Sequence, residues 1–122
     1  MVRLQAEPFD PGQLLSAFTQ GRSETGAVVS FTGLARAEAG RAERLVLEAY
    51  PGFTDREIEA MAEAARSRFA LHDLLVVHRV GEIAPGEAIV FVATARSRRA
   101  SRSSWWPPRR RTAARRSRPA TT

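Results

Sequence analysis

The order of hydrophobic patterns along the chain predicts an α+β fold, an antiparallel, hairpin-rich sheet packed with helices. Three observations carry that expectation. Two segments place apolar residues at helical spacing, and four short segments are dense in β-branched and aromatic residues. Their order is helix, strand, strand, helix, strand, strand, which gives hairpin pairs and not βαβ repeats. At 122 residues the chain suits one domain, since single domains run to roughly 100–200 residues.

Each element has a local reason. Asp10-Pro11-Gly12 supplies an N-cap, a proline at N1 and a flexible N2. Leu14, Leu15 and Phe18 then share a helical face, and Gly21 is placed to end it. Residues 26–32 form the first predicted strand, with Gly33 closing it where the backbone would need a conformation other residues avoid. Residues 44–50 form a second strand, and the polar stretch 34–43 with Gly40 joins the two as a loop. Thr54 and Glu57 have capping-box spacing, and Phe53 and Ile58 stand where a hydrophobic staple would close. Ile58, Met61, Ala62, Ala65 and Phe69 form a helical stripe expected to pack on the sheet. Residues 74–80 and 87–95 are two apolar strands, expected at the sheet's centre, with Pro85-Gly86 fitting the middle of a type II turn between them.

Composition excludes several classes. With 43% hydrophobic and 26% charged residues the chain matches soluble globular proteins and not disordered or membrane-embedded ones. Cysteine is absent, which removes disulfides, thiolate metal sites and a cysteine nucleophile, and any sulfur chemistry would draw its sulfur from outside. The first residues reach Glu7 before any apolar run, and the longest mainly apolar run, 88–95, is eight residues, so neither a signal peptide nor a membrane span is expected and the cytoplasm is the expected location.

The charge is divided. Residues 1–96 hold 10 Arg against 13 acidic residues, whereas residues 97–122 hold 9 Arg and no acid, which together give the net charge of +6. Residues 97–122 also lack Leu, Ile, Val, Met and Phe. The expected organisation is therefore a folded domain over 1–96 and an Arg/Ser/Pro-rich tail over 97–122 that is disordered or loosely attached.

Three features could carry chemistry. Phe31-Thr32-Gly33-Leu34-Ala35-Arg36 runs a strand into a glycine and then an arginine, whose donor fork matches phosphate or carboxylate, although most such arginines are merely solvated. His78-Arg79 could titrate, but a partly buried structural histidine is the favoured reading, and His72 with His78 falls short of a metal site. The tail's arginine clusters around Trp105 and Trp106 have the composition of a single-stranded nucleic-acid footprint, a reading that ranks below simple solvation.

Taken together, Gly26-Ala27-Val28-Val29-Ser30-Phe31-Thr32-Gly33-Leu34-Ala35-Arg36, Leu47-Glu48-Ala49-Tyr50-Pro51-Gly52, Val77-His78-Arg79-Val80-Gly81-Glu82 and Pro85-Gly86-Glu87 resemble the large, catalytic subunit of molybdopterin synthase over about residues 2–95. The resemblance implies the family's α/β-hammerhead type of fold and a soluble sulfurtransferase of molybdenum cofactor biosynthesis that holds no cofactor of its own. It implies a homodimer within a heterotetramer, in which a small ubiquitin-like sulfur-carrier subunit inserts its C-terminal glycine thiocarboxylate. The substrate would be cyclic pyranopterin monophosphate, which receives two sulfurs. Leu34, Ala35 and Arg36 match the family's first substrate-binding stretch, with Arg36 facing a phosphate or developing anion.

Beyond the last predicted strand the pattern departs from the family. Counted forward without gaps, the family's His-Arg pair falls on Arg98 and Arg99, of which Arg99 matches, and its two catalytic lysines fall on Ala114 and Thr121. The family's C-terminal helix is thus expected to be missing, and arginine cannot replace lysine as a nucleophile or base because it stays protonated. Two rival readings remain: a non-catalytic scaffold that keeps dimer or carrier binding, and a nucleic-acid module acting through the tail. A change of reading frame near codon 96 is the expected origin of the abrupt shift in charge and composition. Translation of the other two frames downstream of that codon should yield an amphipathic helix bearing Leu-Lys and Trp-Lys; if neither frame does, the explanation is wrong.

Overall fold

The computed structural model describes residues 1–37 and 44–97. In chain order these form β1 (Val2–Gln5), α1 (Pro11–Thr19), β2 (Thr25–Leu34), β3 (Leu45–Leu47), α2 (Thr54–Phe69), β4 (Asp73–Arg79), β5 (Gly81–Ile83) and β6 (Ala88–Ser97). A four-stranded sheet has the order β1-β4-β6-β2, and β3 and β5 form a separate two-stranded ribbon. The α+β class and the central position of β4 and β6 agree with the sequence. Three details differ. β1, parallel to β4, adds a strand that the sequence pattern does not indicate; β2 pairs with β6 and not with the next strand; and the strand expected over 44–50 shrinks to three residues that pair with β5. Both β1 and β3 are too short for period-2 alternation to declare them, and their partners are distant in sequence.

Alternation sorts the sheet into two faces. On one, Leu75 and Val77 of β4 stand opposite Ala93 and Phe91 of β6, and Val28 of β2 stands opposite Ala95. Phe18 of α1 packs into these residues, with Phe9, Leu14 and Leu15 closing around it. α1 starts as its sequence indicates, with Asp10 accepting hydrogen bonds from the Gly12 and Gln13 amides at 2.8 and 3.3 Å. Beyond its end, the Arg22 guanidinium lies 4.0 Å from the centre of the Phe18 ring and pairs with Asp73 of β4. Burial opposes the charge on Asp73, but the Arg22 hydrogen bond, the Leu74 amide and the nearby positive charges outweigh it and hold the carboxyl below its usual range.

Among the described residues the opposite face is covered only in part. α2 lies over β1 and β4, where Leu74 is buried, while Val29 and Phe31 of the edge strand β2 stay exposed, opposite Thr94 and Val92 of β6. The expected α2 stripe is accordingly only partly realised. Ile58, Ala62 and Ala65 are half-buried, but Met61 and Phe69 are exposed because the helix sits at the sheet's margin. The expected capping box is also replaced. Thr54 is the first helical residue and its hydroxyl accepts from the Tyr50 amide at 3.0 Å, while Phe53 occupies the cap position in helical geometry with no side-chain cap bond. Phe53 is 63% exposed, so it provides no buried staple. The turn at Tyr50, whose carbonyl accepts from both the Phe53 and Thr54 amides, delivers the chain into the helix instead. None of the described helices is long and apolar enough to cross a membrane.

Gly33 acts differently from expectation. It is not among the glycines with positive φ; a Cβ there would come within 2.8 Å of the Val90 side chain, so close packing between β2 and β6 is what excludes a larger residue. The strand continues through a register shift to Leu34, which pairs with Ala88. The last residue of β6, Ser97, pairs with Thr25; residues 98–122, and with them most of the expected tail, lie outside the described residues, as do residues 38–43 of the expected loop.

α2 ends on Ala70 in the left-handed region, at φ 51°. The left-handed conformation costs an L-residue with a Cβ roughly 1–2 kcal/mol, so Ala70→Gly should raise stability by about 1 kcal/mol after allowance for the freer unfolded chain. Urea unfolding of the two proteins measures this, and a loss of stability would contradict it.

Candidate substrate-binding site

The sequence-predicted stretch Leu34-Ala35-Arg36 leaves the sheet at the end of β2. Regular pairing with β6 stops at Leu34, so the backbone of the next residues must be held by other means. Ala35 is buried, and its backbone meets the 84–87 turn in both directions. The Ala35 amide donates to the Glu87 carbonyl at 2.8 Å, and the Gly86 amide donates to the Ala35 carbonyl at 2.7 Å. Leu34 and Arg36 on either side are exposed. Burying the alanine while leaving its neighbours outside sets an exposed guanidinium on an anchored backbone.

The turn is itself anchored. The Glu87 amide donates to the Ala84 carbonyl at 3.1 Å and Gly86 takes φ +88°, which fits the type II turn expected from Pro85-Gly86. The Glu87 carboxylate accepts from Arg79 and from the Ala84 amide, the latter at 3.4 Å. Arg79 ends β4 on the same face as Leu75 and Val77 and is only 4% exposed. Its Nε and Nη2 donate to the Ala6 carbonyl at 3.2 and 3.0 Å, and Nη2 also donates to the Glu82 carbonyl at 3.1 Å. An isolated buried guanidinium would be costly; one carboxylate and two carbonyls offset that cost here. One side chain thereby joins the segment after β1, the strand β5 and the turn that holds Ala35. The paired arginine holds the Glu87 carboxyl below its ordinary range.

A cavity of about 360 Å³ opens beside this network, lined by Phe9, Asp10, Leu34, Arg79, Glu87 and Ala88 among others. A larger cavity of about 640 Å³ lies between β1, the β3–β5 ribbon and α2, but none of Leu34, Ala35 and Arg36 lines it. Of the three, Leu34 alone lines the smaller cavity, and the Arg36 guanidinium stands outside both.

The two histidines stand apart from this site. His78 is half-buried with Nδ1 2.7 Å from the Arg79 carbonyl, an arrangement in which Nδ1 must carry the proton. That contact agrees with the favoured structural reading of His78. His72 lies 2.8 Å from the Thr25 hydroxyl at the other end of the sheet. Among the described residues no three His, Cys, Asp or Glu side chains gather closely enough to hold a metal ion. Arg99, Ala114 and Thr121 lie outside the described residues. The sequence marks Arg79 beside His78 and sets Glu87 in a family motif, but it pairs neither with the other nor with the 34–36 stretch; the available signal is that an arginine at an inward-facing position in register with Leu75 and Val77 requires a nearby acid.

Comparison with known proteins fits this architecture. The molybdopterin biosynthesis MoaE protein from Burkholderia ambifaria superimposes with a TM-score of 0.70 at 34% identity, over 80% of this chain and 64% of that one, which sets the domain in the class of MoaE-like α+β folds. The family model described as MoaE protein matches residues 4–104, and the chain belongs to that family. A relative from Caulobacter vibrioides, the molybdopterin synthase catalytic subunit, is 64% identical over 99 residues, covering 81% of this chain and 66% of the relative. The complex of subunits 1 and 2 of molybdopterin-converting factor from Helicobacter pylori shares the fold with a TM-score of 0.67 at 19% identity, over 81% of this chain and 67% of that one. This chain thus spans about two thirds of the length of these proteins.

The sign of the Glu87 shift fixes a pH dependence. A depressed folded pKa contributes stability that is present above the ordinary value of 4.5 and is lost as pH falls through the folded value. The difference in urea midpoint between the protein and Glu87→Gln should be constant near neutrality and shrink below pH 4.5. A difference that grows on acidification would contradict the assignment.

Proposed function

We propose that this chain is by descent the catalytic subunit of molybdopterin synthase, which transfers sulfur from a carrier-protein thiocarboxylate to cyclic pyranopterin monophosphate. The observation that carries this reading is the 64% identity to the Caulobacter catalytic subunit, across a region that includes the anchored Leu34-Ala35-Arg36 stretch. Arg36, exposed at the end of β2, suits an anionic substrate because a guanidinium binds phosphate oxygens through charge-assisted hydrogen bonds. The chain has no cysteine, so any transferred sulfur comes from outside it. The Helicobacter neighbour, solved as a complex of two subunits, supports a second subunit as a partner, and the family resemblance makes that subunit a small ubiquitin-like sulfur carrier. On the same reading, the protein is a cytoplasmic homodimer within a heterotetramer, residues 1–96 are the synthase-like domain, residues 97–122, whose first residue Ser97 still pairs in β6, are the basic tail, and Arg99 joins the substrate contacts.

The occupants of the two lysine positions favour a second reading beside the first. With Ala114 and Thr121 where the family resemblance sets lysines, the chain carries no amine side chain for acid–base work, and it contains no lysine elsewhere. Binding of carrier and substrate would then outlast turnover, which is the behaviour of a scaffold. Loss of general acid–base catalysis typically costs about 10²–10⁴ in rate.

Calorimetric titration with cyclic pyranopterin monophosphate, combined with molybdopterin formation from thiocarboxylated carrier, tests both readings. Binding should be measurable, Arg36→Ala should weaken it roughly tenfold or more, as expected for a charged hydrogen bond, and turnover should fall at least about a hundredfold below that of a lysine-bearing family member. Absence of binding, or indifference to Arg36→Ala, would overturn the substrate assignment; undiminished turnover would overturn the inference from the lysine positions.

A further inference from the structure

We propose that the Arg79–Glu87 pair is a positioning device for the Leu34-Ala35-Arg36 stretch, setting where the Arg36 guanidinium stands; this rests on the reading of that stretch as substrate-binding. Glu87 uses both of its ends. Its carboxylate is held by the buried Arg79, while its carbonyl receives the Ala35 amide at 2.8 Å. Fixing the side chain therefore restricts the peptide group that carries the Ala35 contact. The return bond, from the Gly86 amide to the Ala35 carbonyl at 2.7 Å, closes a two-way bridge one residue before Arg36.

The bridge matters because the sheet gives that point no support of its own. The β2–β6 ladder shifts register between Gly33 and Leu34 and ends at the Leu34–Ala88 pair. The packing of Val90 against Gly33 fixes the approach, but among the described residues only the 84–87 turn engages the backbone of Ala35. The turn is pinned in its place by Arg79, whose Nε and Nη2 groups donate to the Ala6 and Glu82 carbonyls. Arg79 and Glu87 are therefore positioning residues: their effect on a ligand passes through the backbone at 34–36.

Glu87 is the informative residue to change, since its side chain is 42% exposed and Arg79's only 5%. The full-length chain and its Glu87→Ala, Glu87→Gln and Arg36→Ala variants are compared by amide hydrogen exchange and by titration with cyclic pyranopterin monophosphate. In Glu87→Ala, exchange at Ala35 and Gly86 should rise about tenfold or more, while the amides of Val92 and Ala93 in the central strand change less than about twofold, as expected for a local opening. Glu87→Gln keeps an acceptor for Arg79 and should fall between the two. Affinity should track the same order. Unchanged exchange at Ala35 and Gly86, or an equal rise at Val92 and Ala93, overturns the positioning role, the latter by showing a general structural one. If Arg36→Ala weakens binding while Glu87→Ala does not, positioning is overturned and the substrate reading stands. If neither variant affects binding, the substrate reading has failed and the positioning role with it.

Discussion

The guanidinium of Arg79 is the constraint around which one end of this domain is organised. It lies at the last inward position of β4, on the face that carries Leu75 and Val77, and it is 4% exposed. A charge so placed demands partners, and these come from three separate parts of the chain: Ala6 after β1, Glu82 in β5 and Glu87 after the turn. The parallel edge strand, the two-stranded ribbon and the turn are thereby held in one arrangement. The exit of β2 is fixed through that turn, and it is there that the exposed Arg36 stands.

The opposite end of the sheet is held by different means. Phe18 supplies the apolar contact, and Arg22 stacks on its ring while pairing with Asp73, so helix α1 is secured to β4 by packing and charge together. Phe91, Val77 and the two alanines of β6 form the interior between these ends. The sheet's other face is unevenly covered: α2 lies over β1 and β4, and the β2 margin presents Val29 and Phe31 to solvent.

Much of this is legible in the sequence where the cause is local. α1 arises from Asp10-Pro11-Gly12, and β4 and β6 arise from their apolar density around a Pro-Gly turn. Features determined by distant residues are not legible. β1 is four residues long and finds its partner more than 70 positions away, and β3 joins β5 across α2 and β4. Thr54 has the spacing of a capping residue, but the turn at Tyr50 claims its hydroxyl. Gly33 is readable as a special position, yet the reason, contact with Val90, exists only once β2 lies beside β6. At the site, Leu34, Ala35 and Arg36 stand out through the resemblance of their motif, whereas the contribution of Arg79 and Glu87 depends on strand register and turn geometry together.

Whether Arg79 and Glu87 act as a unit is measured most directly by a double-mutant cycle. Urea unfolding of Arg79→Gln, Glu87→Gln and the double variant at neutral pH should show strong non-additivity, with the double variant no less stable than Arg79→Gln alone, because the carboxylate has no further function once its arginine is gone. Strictly additive losses would mean that the two side chains contribute independently, and the organising function assigned to Arg79 would be wrong.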